Sequence, residues 1–166
     1  MKQKLCILII LLFGAASLSA ASFSTGLGVD FFNYEQAYLS THAALINEVT
    51  GNVELELGTT FGIIVEDQEP GFYLPLQLGL GFVFPNLPVI DGVIGVGLTP
   101  AFNWGPAFNS RRFYLGPYLK GGIRVPVHPY MRWYVEVQQN LLFGPPQWIN
   151  TSTRVMTGIN FFFGSK

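Results

Sequence analysis

The chain has 166 residues, of which 49% are hydrophobic, 15% aromatic and 11% charged, and its formal net charge is −1. That length fits one domain, and a charged fraction under half of the roughly 25% usual for soluble domains disfavours a chain wetted over its whole surface. Beyond the N-terminus no apolar run approaches the ~20 residues of a spanning helix, so a helical membrane bundle is excluded as well.

Lys2 and Lys4 precede an apolar stretch from Leu5 to Gly14, and Ser19-Ala20-Ala21 sets small residues ahead of Ser22. This is the pattern of a secretory signal peptide over residues 1–21, cleaved before Ser22. Cys6 lies inside it, so the mature chain, residues 22–166, has no cysteine for a disulfide, a thiolate metal site or a nucleophile.

From Phe23 onward the hydrophobic pattern has period two, and helical spacing never persists for three turns. In Val53 to Ile63 the odd positions read Val, Leu, Leu, Thr, Phe, Ile against Glu54, Glu56, Gly58, Thr60 and Gly62. From Leu74 to Phe84 the even positions are Leu or Phe, and between them sit Pro75, Gln77, Gly79, Gly81 and Val83. Val155, Thr157, Ile159, Phe161 and Phe163 alternate in the same way near the end. Turn-forming residues divide the chain into eight predicted strands, at 23–32, 37–46, 53–64, 72–84, 90–102, 112–124, 131–143 and 152–163. Each is long enough to cross a bilayer when tilted.

The direction of the greasy face decides the class. Facing inward, it would make a lipocalin-like barrel with too few charges outside to stay soluble. Facing outward, it meets lipid, and glycines and small side chains fill the narrow lumen of eight strands. Aromatic placement favours the second arrangement. Phe23, Phe82, Phe84, Trp133, Phe161 and Phe163 fall at one end of the strands, and Phe31, Phe72, Phe102, Phe113 and Phe143 at the other, as two interfacial girdles. The expected fold is an all-β, eight-stranded, antiparallel up-and-down transmembrane barrel, closed because lipid cannot satisfy an open sheet edge.

An alternating last strand ending in Phe161-Phe162-Phe163 resembles the closing strand of bacterial outer-membrane barrels, whose terminal aromatic marks the chain for insertion. That likeness makes Phe161 and Phe163 the expected contacts with the barrel-assembly machinery. Gly164, Ser165 and Lys166 follow them, a departure from the pattern. By strand count, leader and alternation the chain resembles the small eight-stranded outer-membrane barrels, the OmpW group foremost. The resemblance implies the bacterial outer membrane, contact with its lipid and a monomer. It also implies lateral exit of small hydrophobic molecules, as members of that group are thought to permit.

Charges are segregated along the chain. Residues 22–91 hold nine acidic and no basic side chains, and 92–166 hold seven basic and one acidic. Closure brings the two halves face to face. By parity Asp30, Glu54, Glu56, Glu136, Lys120, Arg124 and Arg154 point inward, and such charges must pair in a lumen poor in water. At the outer rim Glu66, Asp67 and Glu69 face Arg111 and Arg112 as exposed pairs of little worth. The absence of a basic stripe excludes nucleic acid as a partner.

His42 and His128 are the only neutral-pH bases. His128 reads as a solvated turn residue. Ser40 and His42 share one face, and pairing across the 47–52 turn places Glu56 beside His42, so that a hydrogen bond within the lumen network is expected. An acyl-transfer triad of Ser40, His42 and Glu56 is disfavoured, because a regular strand offers neither a nucleophile elbow nor free oxyanion donors. A metal site from His42, Glu54 and Glu56 lacks a second histidine. No enzyme activity, metal or cofactor is expected.

Pro75, Pro100 and Pro117 lie inside predicted strands, where a missing amide is normally excluded. Pro75 is expected roughly opposite Pro100, and Pro117 near it, which makes a weak seam toward the outer rim. Trp104, Phe108, Trp148 and Ile149 are candidates for an apolar entry patch. The leading functional expectation is a narrow channel for small, apolar solutes with a lateral exit at the three prolines. The alternatives are a noncatalytic structural barrel plugged by ion pairs and, last, a lipid-modifying enzyme.

Overall fold

The computed structural model describes residues 21–66, 69–87, 90–108 and 111–163. The expected leader lies outside these residues except for Ala21, which opens the first strand. Eight strands follow: β1 (Ala21–Phe32), β2 (Gln36–Thr50), β3 (Val53–Glu66), β4 (Glu69–Leu87), β5 (Ile90–Trp104), β6 (Arg112–His128), β7 (Met131–Phe143) and β8 (Ile149–Phe162). They pair antiparallel in chain order into a closed barrel. The β1–β8 ladder runs without interruption from Ser22↔Phe162 to Phe32↔Ser152. β1 starts and β8 ends at one end, the expected periplasmic side; the connections after β1, β3, β5 and β7 lie at the outer end.

Several strands run past their predicted ends, with β2 reaching Thr50, β4 starting at Glu69 and β6 reaching His128. Alternation reports which residues touch lipid, whereas the ladder continues beyond the hydrocarbon wherever amides still find partners. Polar and turn-forming residues there end the pattern without ending the strand.

The outer wall is apolar. On β4, Leu76, Leu78, Leu80 and Phe82 are exposed, while Gln77, Gly79 and Gly81 between them are buried. Leu27 and Leu39 are 62% and 72% exposed, with no second protein layer to cover them. A closed sheet that is greasy all round on its outside and polar within is built for hydrocarbon. Aromatics pack on this wall, with Phe102 and Phe113 at 5.1 Å and Phe72 between Phe61 at 5.8 Å and Trp104 at 5.7 Å.

Glycines let the inside close. Gly79 faces Gly97 across β4–β5, and Gly26 faces Gly158 across β1–β8. The side chain of Tyr118 lies over the first pair, and the Tyr134 hydroxyl sits over the second. A Cβ on Gly79 would stand 2.1 Å from the Tyr118 hydroxyl, and one on Gly158 would stand 2.1 Å from the Thr25 carbonyl oxygen. Each glycine pair is thus a recess for a tyrosine from a neighbouring strand.

Gly158→Ala should therefore destabilise the barrel by about 1–3 kcal/mol, because main chain has to move. Gly92→Ala, whose added Cβ would find its nearest neighbour at 3.9 Å, should change little. Urea titration in lipid vesicles separates the two, and equal midpoints would contradict the recess.

Candidate functional site

The lumen is stratified from its outer mouth to its periplasmic end. At the mouth Phe32, Tyr38, Tyr73, Ala101, Tyr114 and Leu142 form a buried cluster, joined by Phe108 from the β5–β6 connection. The Phe32 ring lies 5.7 Å from Tyr73 and 5.3 Å from Tyr114, and Tyr38 lies 5.3 Å from Tyr73. Phe108 rests on Gly71, where a Cβ would meet its ring at 2.6 Å.

Below the aromatics lies a polar layer. Asp30 accepts from Arg154 Nε at 2.7 Å and from the Ser40 hydroxyl at 2.6 Å. Gln77 of β4 donates across the lumen to Gln138 of β7 at 3.0 Å, and Gln138 donates to Asn140 at 2.7 Å. Asn140 also accepts from Thr99 at 3.3 Å and donates to the Ser152 carbonyl at 3.2 Å. These side chains brace opposite walls.

The charged layer fills the periplasmic half. Lys120 Nζ pairs with Glu56 across the lumen and with Glu136 at 3.2 Å. Arg124 Nη1 donates to both oxygens of Glu54, at 2.9 and 2.7 Å, and Arg124 Nη2 lies 3.7 Å from Glu136. Room for these long side chains comes from glycines on the facing positions: Lys120 lies across its ladder partner Gly95, and Glu136 across Gly122. Lys120, Arg124, Glu56 and Glu136 are all buried. At the periplasmic end of the same inward face, Arg132 pairs with Asp91 at 3.1 Å, partly exposed.

The structure brings Asp30, Arg154, Glu54, Glu56, Glu136, Lys120 and Arg124 together as ion pairs, in two groups rather than one. His42 joins neither in the way expected. Its ladder partner is Thr60, whose hydroxyl lies 3.2 Å from Nδ1, and Glu56 sits opposite Ile46. The 47–52 segment is not a six-residue loop: β2 continues to Thr50 and turns at Gly51, where φ is +49°. The register is consequently four residues away from the expected one. Ser40 bonds to Asp30, His42 to Thr60 and Glu56 to Lys120, so the three members of the considered triad are engaged elsewhere. Among the described residues no group of three His, Cys, Asp or Glu side chains is placed to hold a metal.

The prolines are also arranged differently. Pro75 is buried and faces Ala101, whereas Pro100 faces Leu115 and Pro117 faces Leu98. Pairing is interrupted between Thr59↔Leu76 and Gly62↔Tyr73, and between Pro75↔Ala101 and Leu78↔Leu98. A third interruption lies between Leu115↔Phe143 and Tyr118↔Asn140. Each stands beside a proline whose missing N–H falls on that ladder. The β5–β6 ladder passes Pro100 and Pro117 intact, so the three interruptions fall in two separate places, on either side of that ladder, rather than in one seam. At the third, β6 and β7 remain tightly apposed, since a Cβ on Gly116 would stand 1.7 Å from the Leu141 carbonyl oxygen.

The expected entry patch divides as well. Phe108 is buried in the mouth, Trp104 stacks with Phe72 on the outer wall, and Trp148 and Ile149 are exposed. At the rim Arg112 lies over the Phe108 ring at 6.0 Å, and among the described residues no ion pair joins it or Arg111 to Glu69. A depression of about 380 Å³ lies on the outer wall, floored by Ala43, Ala44, Gly58 and Thr59 and flanked by Phe23, Leu45, Leu57 and Leu76. Its exposed position makes it a place for acyl chains and not part of the lumen.

The aromatic mouth and the glutamine brace did not emerge from the sequence, although parity carried part of the signal. Tyr38 shares its face with Ser40 and His42, Tyr73 with Gln77, and Tyr114 with Lys120. Phe108, in a connection, has no parity to read.

No family model matches the chain, and no curated protein matches it. Among solved structures it is similar to Neisserial surface protein A (NspA), with a TM-score of 0.71 and 9% identity over 87% of this chain and 97% of that one. It is similar to the outer membrane protein OprG from Pseudomonas aeruginosa, at 0.59 and 10% identity over 89% and 97%. It is likewise similar to Ail, the attachment invasion locus protein of Yersinia pestis, at 0.58 and 12% identity over 87% and 99%. At such identities the likeness is one of fold, and the fold of this chain is that of the small eight-stranded bacterial outer-membrane barrels.

Proposed function

We propose that this protein is a noncatalytic, monomeric barrel of the bacterial outer membrane whose lumen is closed by ion pairs, so that it serves the membrane as a rigid wall element. The observation that carries this reading is Lys120, bonded both to Glu56 on the opposite wall and to Glu136 beside it. Pulling Lys120 out of this group would leave Glu56 and Glu136 buried without their shared cation, so the network resists opening. The noncatalytic reading rests on the separate engagement of Ser40, His42 and Glu56. The exposed leucines of the wall support lipid contact, and delivery by the barrel-assembly machinery through Phe161 and Phe163 belongs to the same proposal.

A second reading is a narrow passage for small hydrophobic solutes with a lateral exit, in the manner the OmpW-like resemblance implies. It draws support from the two adjoining interruptions around Pro75 and Pro100, which lie just below the aromatic mouth and open toward Leu76 and Leu98 on the wall. Any solute taking that route enters past Phe108 and leaves above the charged layer.

The closed reading predicts no steady ionic conductance from the purified barrel in planar bilayers; discrete open-channel steps would contradict it. Glu56→Ala removes one of the two partners of Lys120 and leaves Glu136 in place, so it should lower the unfolding free energy by about 1–3 kcal/mol in lipid vesicles, and an unaltered urea midpoint would remove the network from the account. For the lateral route, combining Pro75→Ala, Pro100→Ala and Pro117→Ala restores the three amides and should suppress uptake of a small apolar solute into proteoliposomes. Uptake that is measurable and unchanged in the triple variant excludes the seam.

A further inference from the structure

The depression of about 380 Å³ on the outer wall of β1–β4 lies at the small end of the roughly 300–1,000 Å³ of small-molecule sites. Its floor is the ladder pair Ala43 and Thr59, and Leu76 follows Thr59 on the next strand. A ridge of larger side chains, Phe23, Leu45 and Leu57 in one cross-strand row, bounds it toward the periplasmic end. Thr59 stands midway along β3, so the depression reaches from the periplasmic half of the wall to its middle.

This recess is propped open from within. On the lumen side of its floor a Cβ on Gly58 would stand 2.9 Å from Gln77 Oε1 and 3.1 Å from His42 Cε1, and Gln77 is held across the lumen by Gln138 at 3.0 Å. The floor therefore has no room to move inward, and an unfilled gap in hydrocarbon forfeits the dispersion contacts of its lining. The Thr59 hydroxyl donates to the Pro75 carbonyl at 3.5 Å, so the floor requires no polar group of an occupant. Leu45 and Leu76, exposed at its margins, continue into the lipid-facing wall. A filler that is wholly apolar, flexible and able to run on from the recess along that wall is a polymethylene chain. No water is released on a surface already in lipid, so fit is what separates this position from the rest of the wall.

We propose that the depression is a saturable site for one acyl chain of a periplasmic-leaflet phospholipid. The distal half of the chain lies on Ala43 and Thr59, against the ridge of Phe23, Leu45 and Leu57. It covers the wall beside Leu76, the last β4 residue paired with β3 before the interruption at Pro75. A solute using the lateral route would have to displace it, whereas the site itself stands whether or not the lumen conducts.

The test is photolabelling of the refolded barrel in dodecyl maltoside micelles, titrated with a phosphatidylcholine that carries a diazirine in the distal half of one acyl chain and mapped by peptide mass spectrometry. At low probe, labelling of Ala43, Leu45, Leu57 and Thr59 should exceed that of Leu119 and Val137, exposed on β6 and β7, by about fivefold or more. It should then saturate while labelling of the other two continues to rise. Ala43→Leu fills the recess from the lipid side and should remove the excess without altering Leu119 and Val137; if that variant does not fold, Thr59→Leu replaces it. Thr59→Val keeps the shape without the hydroxyl and should keep the excess. Labelling that rises in parallel at all positions, an excess that survives filling of the recess, or one lost in Thr59→Val would each overturn the proposal. So would labelling weaker at Ala43 and Thr59 than at Leu119 and Val137, the result of a second copy of the barrel seated on the recess.

Discussion

Everything in this structure follows from the demand that each backbone amide crossing hydrocarbon find a partner within the protein. A sheet meets that demand only by closing, and here β8 returns to β1 along an unbroken ladder. Closure fixes the two surfaces. Outward positions become a lipid-soluble band of Leu, Val, Ile and Phe, and inward positions must fit a space eight strands wide. Prolines are tolerated because the interruptions they cause are few and the β5–β6 ladder between Pro100 and Pro117 stays unbroken.

Closure also gives meaning to the charge distribution. Along the chain the acidic and basic halves look unrelated, yet Glu54 and Glu56 on β3 meet Arg124 and Lys120 on β6, and Asp30 near the start meets Arg154 near the end. Pairs of this kind are weak evidence for net stability, since desolvation offsets much of their attraction. Their effect is on arrangement: a strand slipped by two residues would strand a charge among apolar or small neighbours. Tyrosines seated on glycine pairs supply a second, uncharged register device at Gly79–Gly97 and Gly26–Gly158.

Parity made the fold legible. Because inward and outward residues alternate strictly, Asp30, Glu54, Glu56, Lys120, Arg124, Glu136 and Arg154 could all be assigned to the lumen from sequence position. Partners were harder to read. Extending β2 to a two-residue turn at Gly51-Asn52 shifts the β2–β3 register by four residues relative to a wider loop. An even shift leaves every side chain on its face and changes whom it meets, so His42 came out beside Thr60 and Glu56 found Lys120. The aromatic mouth escaped for a different reason. Tyrosines count as either lipid-facing or lumen-filling by composition, and Phe108 comes from a connection whose direction no period encodes.

The claim on which the rest depends is that the oily side chains touch lipid and the polar ones do not. It is tested most directly by placing a fluorophore singly at Leu78, 52% exposed, and at its neighbour Gln77, 1% exposed, and measuring quenching by lipids brominated along their acyl chains. Strong quenching at residue 78 with little at residue 77 is the predicted result. Equal quenching at both, or stronger quenching at residue 77, would contradict the account.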